Sequence, residues 1–173
     1  MTRKMLAAAL AASLFVPEIS AAGWFDSVTV SVGGSSDFGT PARIGLRGDT
    51  DHRWFESDTG YLSTYYELAI NHFSDSVRPA TAISFSPVLI YHFKTKGKLK
   101  PFVEFGAGVS YFSERNVGLR KSATHFQFED RIGAGFRSGR HDWTLRYMHY
   151  SNANIEKPND GIDMVMISYG YKF

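Results

Sequence analysis

Short bursts of strict alternation dominate this chain. In Val28-Thr29-Val30-Ser31-Val32 every second residue is apolar and the others are small and polar, and Ala42-Arg43-Ile44-Gly45-Leu46-Arg47 repeats the pattern. Comparable segments run from Leu62 to Ile70, Ile83 to Phe93, Pro101 to Tyr111, Phe126 to Phe136, Trp143 to Ser151 and Asp163 to Phe173. Successive side chains of a strand point to opposite faces, so each segment predicts a strand with one apolar and one polar side. That gives eight strands in one domain, each about as long as a tilted membrane strand must be. Pro87 lacks an N–H and predicts a bulge or a weakened ladder in the fourth strand.

The linkers fit an up-and-down order. Residues 94–98 and 138–141 are short, as periplasmic turns are, whereas 72–80, 113–124 and 152–161 are longer and polar, as outer loops are. The connection from Gly48 to Ser57 is longer than a periplasmic turn needs. The expected fold is therefore all-β: an eight-stranded antiparallel up-and-down transmembrane β-barrel occupying residues 23–173. Residues 1–22 read as a signal peptide. Arg3 and Lys4 form a charged start, Met5 to Val16 an apolar stretch too short to cross a bilayer, and Ser20-Ala21-Ala22 a cleavage site. This places the protein in a bacterial outer membrane.

Composition narrows the picture further. Aromatic residues make up 15%, nearly all Phe and Tyr, which suits the interfacial girdles of a barrel. There is no cysteine, so disulfides, thiol chemistry and Cys-ligated zinc are excluded. Lys+Arg 19 against Asp+Glu 17 gives no bias toward polyanions, and no nucleic-acid partner is expected. On the polar faces Arg43, Arg47, Glu67, Glu104, Glu129, Arg131 and Arg146 point inward. A barrel of this size has room for side chains and little else, so a structural ion network is expected there and not a channel. His52, His72, His92, His125 and His141 are scattered without ligand spacing, and no metal or other cofactor is expected.

Candidate chemistry lies on the opposite face. Trp143, Leu145 and Tyr147 set the outward parity of the seventh strand, and His149 and Ser151 continue it. Val165, Ile167, Tyr169, Tyr171 and Phe173 set it for the eighth, and Asp163 continues it. All three polar residues then sit on the outer wall near the extracellular end of two paired strands. Polar groups there cost only about 0–1 kcal/mol, so ordinary interfacial residues remain one reading. The other is catalytic. Ser needs an adjacent base, His at i−2 supplies one, and a carboxylate on the next strand orients the imidazole. Asn152, following the serine, is a candidate for an oxyanion hole with nearby backbone N–H groups. Asp130 falls on the outward parity of the sixth strand, which calls for a bulge or for proximity to the site. Arg78, Arg115, Arg120 and Lys121 in the outer loops are either solvated charges or contacts for lipid phosphates.

The run His149-Tyr150-Ser151-Asn152-Ala153, followed by Lys157-Pro158-Asn159-Asp160-Gly161-Ile162, resembles the PagL-type lipid A 3-O-deacylases. So does Phe128-Glu129-Asp130-Arg131-Ile132-Gly133-Ala134-Gly135 and, more loosely, the stretches Ser84 to Val88 and Lys100 to Glu104. The resemblance implies an outer-membrane serine esterase that removes the 3-linked acyl chain of lipid A with a Ser–His–acid triad and no metal. Carried over by position, Ser151 is the nucleophile, His149 the base and Asp163 the acid, where the family pattern has Glu. Being one methylene shorter, Asp163 requires closer strands or a bridging water. Glu156 and Asp160 are the reserve acids. Asn152 and Asn159 match polar positions beside the family site, and Asn154 stands where the family has Gly, so the resemblance makes Asn152, Asn154 and Asn159 the oxyanion-hole or substrate-binding candidates.

The partners implied are lipid A (lipopolysaccharide) in the outer leaflet and, from the terminal Phe173, the outer-membrane assembly machinery. A homodimer is left open. Alternatives of other classes are a passive small barrel with a structural or adhesive role, and a phospholipase or palmitoyl transferase.

Overall fold

The computed structural model describes residues 23–76 and 78–173. The signal peptide expected over residues 1–22 lies outside the described residues. Strands β1 (Ser27–Gly34), β2 (Pro41–Asp49), β3 (Gly60–Phe73), β4 (Ala80–Phe93) and β5 (Lys100–Phe112) follow in order. Next come the two-residue strands β6 (Asn116–Val117) and β7 (Arg120–Lys121), then β8 (Phe126–Ser138), β9 (His141–Ser151) and β10 (Ile162–Lys172). The eight long strands close into a barrel in the order β1-β10-β9-β8-β5-β4-β3-β2, every pair antiparallel. Closure leaves no open edge in the bilayer, where an unpaired backbone group costs several kcal/mol. The β6–β7 hairpin is an insertion in the β5–β8 loop that alternation did not reveal, because two residues carry no period.

The expected faces are observed. Ile44, Ile70, Ile83, Phe105, Ile132, Leu145 and Ile167 stand exposed on the wall, while all seven charged residues expected inside are buried. The interior is layered. At mid-height Arg43 and Arg131 each bridge Glu67 and Glu129, and Arg146 pairs with Glu104 at 2.5 Å and with Glu67 at 3.7 Å. Tyr65 and Tyr150 donate their hydroxyls to Glu104 and Glu129, both at 2.7–2.8 Å. Buried charge is tolerable only when it is paired and hydrogen-bonded in this way. Tyr65, Val88, Ile90 and Phe102 fill the periplasmic half. Towards the extracellular mouth Phe73, Phe112, Met148 and Met164 pack beneath Phe38 of the β1–β2 loop and Val117 of the hairpin. The hairpin is thus anchored by an apolar residue in the mouth of the barrel.

Pro87 weakens its ladder without a bulge. On the β5 side the pairs Phe85↔Val109 and Val88↔Gly106 keep one register, and the two positions between them are unpaired. The long β2–β3 connection folds back on itself through a Trp54↔Leu62 bridge and a Ser57 N–H donated to Gly60 O at 2.9 Å. It therefore remains a turn at the periplasmic end.

Candidate active site

Register brings the site together. On β9, His149 stands opposite Asp163 of β10 and, on its other side, opposite Asp130 of β8. Directly opposed cross-strand residues have Cβ atoms about 4.5–5.5 Å apart, within reach of short side chains. Asp163 accordingly accepts directly from His149 Nδ1 at 2.8 Å, with no bridging group, and the missing methylene costs no contact. The same oxygen, Oδ1, accepts the Tyr147 hydroxyl at 2.5 Å. Bonding through Nδ1 leaves His149 Nε2 as the atom free to act as base. The pair is half-buried, with side-chain exposures of 35% for His149 and 40% for Asp163.

Ser151 continues the same face two residues on. Its Oγ accepts from the Ala153 N–H at 3.5 Å, and among the described residues it is not hydrogen-bonded to His149. Nucleophile–base contacts are commonly looser before substrate binds. Of the reserve acids, one is engaged elsewhere and the other is exposed. The Asp160 carboxylate accepts the Lys121 N–H at 2.9 Å, and Glu156 is exposed, its backbone carbonyl accepting from Asn152 Nδ2 at 2.8 Å.

The three asparagines shape the loop after the serine. Asn152 is buried, and its N–H is given to Asn159 Oδ1 at 3.0 Å. Its backbone N–H and one of its two side-chain N–H groups are thus committed within the loop, and the neighbouring Ala153 N–H is the group directed at Ser151. Ala153 and Asn154 have left-handed backbones, φ 53° and 60°. Asn is the side-chain-bearing residue that tolerates this region best, which accounts for Asn154 at a position where the family pattern has Gly. Gly161, φ 69°, packs on the imidazole: an added Cβ would lie 2.8 Å from His149 Cε1.

Asp130 lies on the wall opposite His149, and β8 runs in unbroken register past it. It belongs to an outer-wall groove of about 510 Å³ that runs from Ser151 across β8, β5 and β4, lined by Phe128, Val109, Phe85, Pro87 and Ala107. Ala107 and Gly108 are small residues of that lining, among larger ones such as Phe85 and Phe128. Of the loop cations, Arg120 is held by Asp37 at 2.8 Å and by the Asp160 carbonyl at 3.3 Å. Tyr147 is the site residue that sequence reasoning placed on the correct face without a role. Its signal was a position one strand-repeat before His149, diagonal to Asp163.

Residues 36–172 match the protein family described as lipid A 3-O-deacylase (PagL). The chain belongs to this family. It is 36% identical over 171 residues to the lipid A deacylase PagL of Pseudomonas aeruginosa, covering 96% of this chain and 97% of that one. To the lipid A deacylase PagL of Bordetella bronchiseptica it is 32% identical over 142 residues, 76% of each chain. A crystal structure described as that of the outer membrane enzyme PagL superposes with a TM-score of 0.82 at 34% identity. It covers 85% of this chain and 99% of the other. Membership in the PagL family makes this barrel an outer-membrane enzyme of the lipid A 3-O-deacylase type and accounts for the eight-stranded closed fold.

Proposed function

We propose that Ser151, His149 and Asp163 form a catalytic triad on the outer wall of the barrel and hydrolyse the 3-O-linked acyl ester of lipid A. The observation that carries this reading is the direct His149 Nδ1–Asp163 Oδ1 hydrogen bond on the same lipid-facing surface as Ser151. In the first step His149 Nε2 takes the Ser151 proton as Oγ attacks the ester carbonyl. The Asp163 carboxylate and the Tyr147 hydroxyl bonded to it hold the ring, and Asp163 stabilises the imidazolium that forms. The Ala153 N–H, with its Asn154 neighbour, faces the developing oxyanion, and Asn159 fixes this loop through the Asn152 N–H. The imidazolium then protonates the departing sugar 3-oxygen. Water, activated by the same base, frees the fatty acid and regenerates Ser151.

A wall site suits a substrate that diffuses laterally in the outer leaflet, and the filled lumen offers no competing route. The groove beside Ser151 receives the acyl chain being cut. Its apolar lining adds little affinity, because surrounding lipid tails are equally apolar. Its use is to bring the ester to Ser151 by shape. Residues 1–22 serve in this reading as an export signal removed before the barrel assembles.

Mass spectrometry of lipid A from cells carrying wild type or Ser151→Ala tests the proposal. Wild type should remove one 3-hydroxyacyl group and the variant none. Equal deacylation by both would overturn it.

A further inference from the structure

The β6–β7 hairpin continues beyond its own two-residue pairs. Lys121, Ser122 and Ala123 run antiparallel to Pro158, Asn159 and Asp160 of the loop that follows the serine. The Asp160 N–H is given to Lys121 O at 3.0 Å, Ser122 bridges Asn159, and the Ala123 N–H is given to Pro158 O at 2.7 Å. The Asp160 carboxylate closes the end of this ladder on the Lys121 N–H at 2.9 Å. Arg120 ties the hairpin to Asp37 of the β1–β2 loop at 2.8 Å, and Val117 buries its base in the barrel mouth.

This ladder ends on the chemistry from both sides. Asn159, at its centre, uses its side chain to hold the Asn152 N–H beside Ser151. Gly161, immediately after Asp160, supports the His149 ring. The ten-residue loop between β9 and β10 is held internally by bonds that all centre on Asn152, so the hairpin's partners for Pro158 and Asp160 restrict conformational freedom that those bonds leave.

We infer that the β6–β7 hairpin is a positioning brace for the catalytic loop, with Asp160 as its clasp. Asp160 is a positioning residue: it acts through Asn159 and Gly161 and touches neither substrate nor imidazole. What the clasp requires is a hydrogen-bond acceptor for the Lys121 N–H, and negative charge is incidental. The inference rests on Ser151 as nucleophile.

The test compares Asp160→Ala, Asp160→Asn and Ser151→Ala in purified, refolded full-length protein acting on lipid A in mixed micelles. Asp160→Ala should lower kcat roughly tenfold or more with KM within about twofold, because misplaced groups lose rate before they lose binding. Asp160→Asn keeps the acceptor and should recover most of that rate, with unfolding midpoints alike for all three. Ala123→Pro deletes the N–H given to Pro158 with Asp160 intact and should lower kcat in the same way. Full turnover in both Asp160→Ala and Ala123→Pro, with Ser151→Ala inactive, overturns the brace alone. Asp160→Asn as slow as Asp160→Ala also overturns it, since charge would then be what matters. An active Ser151→Ala overturns the triad itself.

Discussion

The lumen and the outer wall of this barrel both carry carboxylates beside cationic or basic groups, yet they do different things. In the lumen Glu67 and Glu129 have side chains of zero exposure and meet Arg43 and Arg131 through several bonds each. Such a network is fully buried, and its carboxylates are already occupied by several partners. On the wall a carboxylate and an imidazole share one hydrogen bond, half-exposed, and the hydroxyl two residues on has only a weak 3.5 Å contact. An enzyme needs groups that are positioned but not saturated, which is why the sparser cluster is the one we propose as reactive. More ionisable groups do not make a better candidate site. The fraction of their bonding capacity left for a substrate is what separates the two regions.

Substitutions on the two sides sharpen this contrast. The largest effect belongs to Ser151→Ala, which should cut turnover about 10⁴-fold or more while the barrel stays folded, read by release of 3-hydroxy fatty acid. Asp163→Ala follows at about 10³-fold, for loss of the imidazole's orienting partner. Asp163→Glu, which restores the family residue, should stay within about tenfold of wild type. In the lumen Glu67→Ala takes one carboxylate partner from each of Arg43, Arg131 and Arg146, leaves Glu129 and Glu104 against three buried guanidiniums, and should cost about 3–5 kcal/mol of stability in urea unfolding from lipid vesicles. A Glu67→Ala barrel that unfolds like wild type but loses its chemistry would erase the distinction drawn here.

Gly161→Ala combines a left-handed backbone with a Cβ against the imidazole. It should cost about 1–2 kcal/mol and lower kcat roughly tenfold, assayed together on one preparation. The smallest effect expected is that of Ala107→Trp, which fills the groove. KM for lipid A should rise about threefold to tenfold with kcat little changed. A fall in kcat alone would remove the groove from the acyl-chain role.

Much of this was legible in the residues themselves. Alternation located the eight long strands to within a few residues of their observed ends, and their parity put His149, Ser151 and Asp163 on one face. Pro87 announced its unpaired positions because a missing N–H is a local property. Asp130 was visible as an anomaly of parity, and only the register opposite His149 gave it a place. Asp160 read first as solvated loop charge and only in reserve as an alternative acid. Its contact with the Lys121 N–H joins segments 39 residues apart and has no local signature.

Alternation is imposed by the backbone, one residue at a time, so the strands, their lipid-facing sides and the charged lumen follow from the chain read in order. Which residue faces which across neighbouring strands depends on the register of their pairing. Only the closed structure sets Asp163 within direct reach of His149, commits the Asn152 N–H to Asn159, and lays a hairpin from one loop along another. The first two join residues 14 and 7 positions apart and the third residues 39 apart, and in each the hydrogen-bond partner is chosen by packing and register, which alternation alone does not specify.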